Sequence, residues 1–412
     1  MAERVLLICY YFPPQGGAGV GRPLALYKHL PKHGIECDIL TVKPVAYRLN
    51  EPELLDGLDT SRIYRAGSLD PQRLMYLLGI RTVKDATISK SRKITDRYFP
   101  DPKVGWVRPA VKLGRVLSTN RHYGAVISTS PPMSSHLVGM KLSKEFRLPL
   151  IADFRDFWTG YKVEDWFEDQ RKVKRARDLL KKITDEADRV ITVNPAISDY
   201  LGKGAVIYNS YDENRARLWG LPERRDHFII GILGTLEARL PLEPLLKVLE
   251  SLRKEKPAFF DKIRVVHVGS VNTEEAESLL RRYDLETRLD FLGVRPREET
   301  IKILSETSLL YLGFCESYRA SLLPGRLFDM LVSGRPILAA TAEDGVTGSI
   351  LRQGGVSCTF DDQRLDTAVD FLGEQVEAYA RGETVCKPNA EYARRFSSEK
   401  MAESFARVVK NV

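Results

Sequence analysis

Short runs of apolar residues alternate with amphipathic stretches along most of the chain. The runs suit buried parallel strands, and the stretches between them carry apolar residues at helical spacing. Such runs cover residues 5–9, 38–42, 124–128, 150–152, 189–193 and 205–208, and then 228–233, 263–268, 289–292, 308–312 and 336–340. Alternating strands and helices predict α/β domains built on parallel sheets. We therefore expect an α/β fold with two Rossmann-like domains.

The chain length also favours two domains. A chain of 412 residues is too long for one ordinary hydrophobic core and suits two domains of about 200 residues each. The alternation restarts at Phe228, after a charged stretch at 223–226 that suggests a linker. We expect a first domain at residues 1–205, a second at 206–395, and a last helix within 396–412 that begins at a Ser397 or Ser398 cap.

Residues 44–110 break the strand–helix rhythm. Basic side chains are scattered there among Leu, Met and Tyr residues, most densely between positions 73 and 98. This pattern predicts an insertion of short basic amphipathic helices, which suits a membrane surface or an acceptor-binding element. Ordinary capping of the sheet is the alternative.

The net charge of +8 is unevenly distributed. Residues 1–200 hold 33 Lys and Arg against 23 Asp and Glu, a balance of +10, and the remaining residues hold 30 against 32, a balance of −2. This asymmetry indicates an anionic partner for the first half, such as phospholipid, a lipid diphosphate or nucleic acid, unless it is only a solvated basic face. Because no nucleic-acid-reading motif is recognised, we expect no nucleic-acid partner.

Composition favours a cytoplasmic globular protein. No apolar run approaches the ~20 residues of a membrane span, and the start of the sequence does not resemble a signal peptide. Five scattered cysteines without a CxxC pair fit a reducing compartment better than a disulfide framework or a zinc site. No acidic pair has obvious metal-binding spacing, so we expect no metal and no cofactor.

Candidate chemistry is densest around residues 321–340. Ser321, Pro324 and Gly325 lie in a loop that leads into a predicted helix, and a buried strand follows at 336–340. Arg326 and Asp329 are three residues apart, so they share one face of that helix. A helix N-terminus with an arginine favours a phosphate, and an ionised carboxylate suits the two hydroxyls of a ribose. A surface ion pair between the two side chains is the alternative.

A glycine-rich turn follows the first strand. Gly16 and Gly17 lie between that strand and an amphipathic helix, where the backbone can approach a ligand closely. A dinucleotide fingerprint is the rival interpretation, but its third glycine would fall on Arg22, and the strand 38–42 has no acidic residue at its end.

Two further strand exits in the first half carry polar groups. His136 follows the strand 124–128, in the first turn of a helix that Ser134 or Ser135 would cap. The helix dipole should lower its pKa, which favours a neutral imidazole that can donate or accept a hydrogen bond. A structural histidine is the alternative to one that contacts the acceptor or the sugar.

At the next strand exit, Asp153 and Asp156 flank Arg155, and we expect these three residues to bind the acceptor. Either carboxylate could bind or deprotonate an acceptor hydroxyl, unless Arg155 neutralises one of them in a structural ion pair. In the second half, Arg239 after the turn at Gly234 is available to a diphosphate, although a surface arginine has the same spacing.

Several of these segments resemble one known family. Four segments are similar to the retaining, metal-independent GT-B glycosyltransferases of the group 1, family 4-like type, which are found in bacterial polysaccharide and lipopolysaccharide assembly. These segments are Tyr-Tyr-Phe-Pro-Pro-x-Gly-Gly at 10–17, a loose match to Ser-x-Pro-Pro-x-Ser-x-His at 128–136, Phe-Leu-Gly-Val-x-Pro-x-Glu at 291–298 and Arg-Leu-Phe-Asp-Met-Leu at 326–331. Asp-x-Arg-Asp-x-Trp at 153–158 also resembles polysaccharide-assembling members. The resemblance covers nearly the whole chain and is weakest at residues 44–110.

The resemblance implies two domains facing across a cleft, with the last helix crossing back to the first domain. By the same resemblance, Asp329 holds the donor ribose, Arg326 faces the diphosphate, and the backbone near Arg295 meets the base. Ser321 stands where many members have a glutamate that contacts the donor sugar. His136 and Asp156 would face the acceptor.

The function expected on this basis is hexosyl transfer from a UDP- or GDP-type sugar to a hydroxyl of a glycan or lipid-linked acceptor, in polysaccharide or glycoconjugate assembly. Arg326, Arg239 and the N–H groups of Gly16 and Gly17 would stabilise the departing diphosphate without a metal. Peripheral contact with an anionic membrane would suit the basic first half. Two alternatives remain: a nucleotide-sugar 2-epimerase of the same two-domain shape, and a non-catalytic protein that binds anionic lipid or nucleic acid.

Overall fold

The structure is a computed structural model of the chain. It describes residues 3–47, 49–77, 98–159, 169–220, 226–237, 240–355, 357–383 and 389–412. The chain divides into two compact units. The first comprises Met1–Asn209 together with Ser398–Val412, and the second comprises Ser210–Ser397.

A seven-stranded parallel sheet forms the centre of the first unit. Its strands are β1 (Glu3–Ile8), β2 (Ile35–Val42), β3 (Ile63–Ala66), β4 (Ala125–Ser130), β5 (Leu150–Phe154), β6 (Arg189–Thr192) and β7 (Ala205–Val206). The spatial order is β3-β2-β1-β4-β5-β6-β7, so the direction of winding reverses between β1 and β4. In α/β sheets the crevice at such a reversal, beyond the carboxyl ends of the strands, is where ligands bind.

Helices cover both faces of this sheet. They are α1 (Gly21–His29), α2 (Pro71–Leu77), α3 (Val107–Asn120), α4 (Ser134–Phe146), α5 (Gln170–Glu186) and α6 (Pro195–Leu201). Trp106, Phe154 and their apolar neighbours form the core on one face, and Phe12, Leu26 and Phe405 belong to the core on the other. Phe405 lies on the last helix of the chain, Ser398–Val409, which packs against α1.

The second unit repeats the same architecture. Its parallel strands are β8 (Phe228–Leu233), β9 (Ile263–Val268), β10 (Leu289–Phe291), β11 (Leu309–Gly313), β12 (Ile337–Ala340) and β13 (Ser357–Phe360), in the order β10-β9-β8-β11-β12-β13. The reversal here falls between β8 and β11. One large core of leucines, isoleucines and phenylalanines lies between this sheet and its helices.

The helices of the second unit complete the numbering. They are α7 (Glu213–Ala216), α8 (Glu243–Glu255), α9 (Pro257–Phe260), α10 (Thr273–Tyr283), α11 (Arg297–Ser305), α12 (Arg326–Leu331), α13 (Val346–Gly354), α14 (Leu365–Arg381) and α15 (Ala390–Arg394), and the chain ends with α16 (Ser398–Val409). The two parallel sheets flanked by helices confirm the predicted α/β class and the pair of Rossmann-like domains.

The described part of the stretch 44–110 contains a strand that was not predicted, besides the short helix α2. Residues Ile63–Ala66 form the edge strand β3, which pairs in parallel with Ile39–Val42. The helix α2 follows, and Lys103 and Arg73 converge on the buried carboxylate of Asp70. The basic positions from 78 to 97 lie outside the described residues. Within the ranges that are described, no helix is both long and apolar enough to span a membrane.

Candidate functional site

The second unit brings its candidate residues to the reversal between β8 and β11. Gly234 is the first residue after β8, and α12 begins at Arg326, after the loop that leaves β11. Because the carboxyl ends of parallel strands meet at one edge of the sheet, residues about 90 positions apart in sequence become neighbours there.

Helix α12 has one buried face and one face that carries the candidate side chains. Leu327, Phe328 and Leu331 are buried in the unit, which fixes the orientation of the helix. Arg326 and Asp329 lie at half-buried positions. The ion pair that their spacing allows is not formed, and within the described part of the chain no residue hydrogen-bonds to either side chain. Both groups are therefore available to a ligand.

Arg326 lies directly against the turn after β8. An ideal Cβ built on Gly234 would come 2.4 Å from Arg326 Nη1, so a side chain at position 234 would displace the guanidinium. Burial lowers the pKa of Arg326 to about 10, and the nearby Glu237 and Tyr311 oppose that shift. The guanidinium is thus still cationic at neutral pH, and it is poorly hydrated, which favours an anionic partner.

Asp329 is a carboxylate in an unfavourable environment. Burial raises its pKa above the ordinary range, and the charge of Asp212 acts in the same direction. Arg215 and Arg297 lower the pKa without compensating fully. Hydroxyl donors from a ligand would stabilise the ionised form, which is the role that a ribose can play.

Three further candidates of the second unit lie in the loop before α12. Ser321 is 3% exposed, and its N–H donates to the carbonyl of Tyr318 at 3.2 Å. Pro324 and Gly325 form the turn before the helix, where the carbonyl of Pro324 accepts from Leu327 N at 3.0 Å.

Arg295 lies within the described residues, whereas Arg239 does not. The Arg295 side chain lies 3.6 Å from Glu299, and its backbone carbonyl accepts from Thr300 Oγ1 at 3.3 Å. The contact between the backbone near Arg295 and a nucleotide base stays a prediction. Arg239 lies outside the described residues.

In the first unit, residues of the stretch 44–66 form hydrogen bonds to the glycine-rich turn. The N–H of Gly16 donates to the carbonyl of Leu49 at 2.9 Å, so it is not available to a diphosphate as predicted. Arg65, on β3, donates to the carbonyl of Pro13 at 2.5 Å. Gly17 has a φ of 93°, a left-handed conformation that favours glycine. The stretch 44–66 therefore shapes this turn.

Asp153 does not serve as an acceptor-binding residue in this structure. Its carboxylate is fully buried and forms a bidentate ion pair with Arg22, with a shortest distance of 2.8 Å to Nη2. Thr129 Oγ1 donates to it at 2.7 Å. Both carboxylate oxygens of Asp153 accept hydrogen bonds from protein side chains, which indicates a structural role.

Arg155 does not form the ion pair with Asp153 that the sequence allowed, and its contact with an acceptor stays a prediction. It pairs with backbone carbonyls rather than with Asp153: Nε donates to Ser130 O at 2.9 Å and Nη1 donates to Gly19 O at 2.7 Å. The side chain therefore ties the loop after β1 to the loop after β4. Asp156 lies at the surface beyond β5, where an acceptor hydroxyl could reach it.

His136 is fully buried on the third position of α4. Its Nδ1 hydrogen-bonds with Ser128 Oγ at 2.8 Å, and among the described residues Nε2 has no hydrogen-bond partner. Burial lowers its pKa to about 3, so the ring is neutral at physiological pH. The predicted direction is correct, but its main cause is burial rather than the helix dipole.

The predicted serine cap of α4 is replaced by a distant carboxylate. Asp101 accepts hydrogen bonds from the backbone N and from Oγ of Ser134, both at 2.8 Å. Ser134 is thus a helix residue that is itself capped, and the sequence contains no local signal for a cap 33 residues away.

Two polar residues that the sequence interpretation passed over belong to these sites. Arg22 neutralises Asp153 from α1, and His267 lies on β9, where its Nε2 donates to the carbonyl of Gly234 at 2.7 Å. A histidine within the apolar run 265–268 is a signal that could have marked this position.

Comparison with known proteins supports the fold only. No family model and no curated protein matches the chain in sequence. Solved structures do match it over their full lengths. A sucrose-phosphate synthase from Thermosynechococcus elongatus has a TM-score of 0.66 at 15% identity, covering 99% of this chain and 98% of the other.

Two further structures match at similar coverage. The lipopolysaccharide outer core galactosyltransferase WaaB, in its apo form, has a TM-score of 0.58 at 13% identity, with 99% of both chains covered. The S. aureus MnaA–UDP complex has a TM-score of 0.51 at 11% identity, with 99% of this chain and 96% of the other covered. The two Rossmann-like domains of this chain are therefore those of the GT-B fold.

Proposed function

We propose that this protein is a glycosyltransferase that moves a sugar from a nucleotide-diphosphate sugar to an acceptor hydroxyl. The observation that carries the proposal is the pair Arg326 and Asp329, a cation and a carboxylate on one helix face at the reversal of the second sheet. Neither side chain forms a hydrogen bond or an ion pair with a described residue, although both are half-buried. Binding proteins and sugar-transfer enzymes share such pairs, and the GT-B fold of the chain favours the second.

In the proposed reaction the bond between the anomeric carbon and the diphosphate breaks, and its electron pair leaves with the diphosphate. The acceptor oxygen bonds to the anomeric carbon on the face from which the diphosphate departs, and Asp156 takes the acceptor proton. Arg326 is cationic and poorly hydrated, so it stabilises the charge that develops on the leaving group. Asp329 binds the ribose, and the backbone near Arg295 contacts the base.

The finer features of the proposal come from the resemblance of the sequence. We propose a retaining hexosyl transfer that uses Arg326 in place of a metal ion, and a donor of UDP or GDP type. His136 is given no contact with the acceptor or the donor sugar in this proposal, because its side chain is fully buried. The acceptor is proposed to be a glycan or lipid-linked precursor in polysaccharide or glycoconjugate assembly, on the cytoplasmic side of a membrane.

A thermal-shift panel with UDP, GDP, dTDP, CDP and NAD tests the donor site. A ligand at about a hundred times its dissociation constant stabilises the native state by roughly 2.7 kcal/mol, which is readily measured. We expect one nucleoside diphosphate to stand out, and Arg326→Ala to reduce its effect clearly without removing it. The exposed Arg282, on α10, is the matched control, and its change to alanine should leave the shift intact.

Turnover separates the proposed reaction from its rivals. Radiolabelled sugar should appear on an acceptor, and Arg326→Ala should reduce that rate at least a hundredfold while the fold is retained. Conversion of the donor without any acceptor would instead indicate epimerase chemistry. Binding to vesicles without any response to nucleotides would indicate a non-catalytic protein.

Membrane contact is proposed for the first unit. Large apolar side chains are exposed on and beside α2, and the basic stretch 78–97 follows directly in sequence: Leu69 is 65% and Leu77 is 68% exposed. Apolar side chains next to cationic ones suit an anionic lipid surface. We expect the protein to co-sediment with phosphatidylglycerol vesicles but not with phosphatidylcholine vesicles, and Leu69→Asp combined with Leu77→Asp to weaken that binding.

A further inference from the structure

His267 occupies an unusual place for an ionisable residue. It lies on β9 with its side chain fully buried, edge-to-face with Phe291 at a centroid distance of 5.7 Å. Because the carbonyl of Gly234 can only accept, the Nε2 atom 2.7 Å away must carry the ring proton. Burial lowers the pKa of His267, so the ring is neutral and has one proton to donate.

Both polar backbone groups of Gly234 are bound to the end of β9. Its N–H donates to the carbonyl of Val268 at 2.8 Å, and its carbonyl accepts from His267. The carbonyl fits there because position 269 is a glycine: an ideal Cβ on Gly269 would come 2.0 Å from it. Two strands and two glycines thus hold the Gly234 peptide in one orientation, at a φ of +94°.

The opposite side of Gly234 contacts the candidate diphosphate-binding cation. The Cβ position that glycine leaves open is 2.4 Å from Arg326 Nη1. A rotation of the Gly234 peptide would therefore change the surface on which the guanidinium rests. His267 contacts Gly234 from within the sheet, and Arg326 contacts it from the carboxyl edge.

We propose that His267 is a positioning residue: through its hydrogen bond to the Gly234 carbonyl it holds the turn that places Arg326 for the diphosphate of a nucleotide ligand. This inference rests on the proposed function, since it presumes that Arg326 binds a diphosphate. His267 itself does not touch the ligand. The ordinary alternative is a core histidine that contributes only to stability.

The test combines substitutions at 267 with the Arg326 variant. His267→Phe keeps an aromatic ring but removes the donor, and His267→Gln keeps an N–H that can reach the carbonyl. The affinity for UDP and for GDP is measured by titration calorimetry, for each variant alone and together with Arg326→Ala. Thermal unfolding of the same samples reports any loss of stability separately.

We expect His267→Phe to weaken binding of the preferred nucleoside diphosphate at least tenfold, and His267→Gln to stay within about threefold of the wild type. In the Arg326→Ala background, His267→Phe should have no further effect, because residues that act through one another are not additive. His267→Leu serves as a second variant if the phenylalanine is too large to fold.

Three results would overturn the inference. His267→Phe and His267→Leu could bind as tightly as the wild type, or glutamine could fail to rescue the affinity. The loss could also be as large in the Arg326→Ala background, which would show that His267 does not act through Arg326. A wild-type protein that binds neither nucleotide would refute the proposed function itself, and the inference with it.

Discussion

Of the two arginine–aspartate combinations at the candidate sites, one forms an ion pair and the other does not. Arg22 and Asp153 are 131 positions apart, yet they form a bidentate ion pair with side chains only 2% and 0% exposed. Arg326 and Asp329 are three positions apart on one helix and form none. Buried charges must be paired, because an unpaired one costs several kcal/mol. Half-buried charges without a protein partner are the ones that a ligand can use.

The pKa of Asp329 leads to a prediction about ligand binding. Burial raises that pKa, and hydroxyl donors from a ribose would favour the ionised form. Binding should therefore release a proton from the fraction of protein in which Asp329 is protonated. Affinity should be full well above the raised pKa and should fall as the pH decreases through it. Asp329→Asn should bind more weakly and lose this pH dependence, which calorimetric titrations between pH 4 and pH 8 would show. An unchanged pH profile in the variant would contradict the assignment.

The Arg22–Asp153 pair leads to a prediction about stability. Asp153→Asn leaves the buried guanidinium without its counter-charge, which typically costs about 3–5 kcal/mol. For a unit of this size, each kcal/mol lowers the melting temperature by about 2–4 °C. We expect a loss of about 6–20 °C in the calorimetric transition of the first unit. The exposed pair of Lys247 and Asp362 is the control, and Lys247→Gln should change stability by less than about 1 kcal/mol. A small effect of Asp153→Asn would argue against a structural role.

At the scale of elements, side chains that are distant in sequence form hydrogen bonds to the ends of helices and to loops. Asp101 caps α4 from 33 positions away. Arg335 lies before β12 with 2% of its surface exposed, and it donates to the carbonyls of Thr307, Ser333 and Gly220, as well as to Ser305 at the end of α11. The ends of several elements of the second unit thus depend on one guanidinium.

Removal of that guanidinium should destabilise the second unit. Arg335→Met leaves four backbone carbonyls without this donor, of which those of Thr307 and Ser333 are in buried residues, and each unsatisfied buried group costs about 1–3 kcal/mol. We expect a loss of at least about 2 kcal/mol in chemical unfolding of the second unit. Arg282→Met, at an exposed position, should have little effect. Since Arg335 lies at the opposite end of the sheet strands from Arg326, nucleotide affinity of the folded variant should not change; if it does, Arg335 takes part in the site.

At the scale of the whole molecule, the chain does not divide simply into consecutive halves. The last helix, α16, belongs to the first unit, where Met401, Phe405 and Val409 are buried. The sequence assigned residues 396–412 to such a helix, and its return to the first domain was implied by the family resemblance alone. The first unit therefore closes only after the second has been synthesised.

Deletion of residues 398–412 should affect the two units differently. Each large apolar side chain removed from a core costs about 1.5–3 kcal/mol, so the first unit should lose several kcal/mol. The second unit keeps all its strands, and its response to a nucleoside diphosphate should persist. Scanning calorimetry with and without the nucleotide measures both. Phe405→Ala should reproduce much of the loss, whereas Arg407→Ala, at an exposed position, should not. Loss of the nucleotide response would show that the second unit depends on α16.

The sequence by itself determined the alternation of strands and helices, the two α/β domains and the helix that carries Arg326 and Asp329. These features depend on residues within one or two turns of each other, where periodicity and spacing are sufficient. The edge strand Ile63–Ala66 escaped prediction because two of the residues around it, Arg62 and Arg65, are charged, and only pairing with β2 makes it a strand.

The tertiary structure alone decided which polar groups meet. It paired Asp153 with Arg22, directed the N–H of Gly16 to Leu49, and brought His267 to Gly234. Each partner arrives from another strand, helix or loop near the carboxyl edge of a sheet, so its identity follows from the strand order. Strand order is a non-local property, and the spacing of residues along the chain does not contain it.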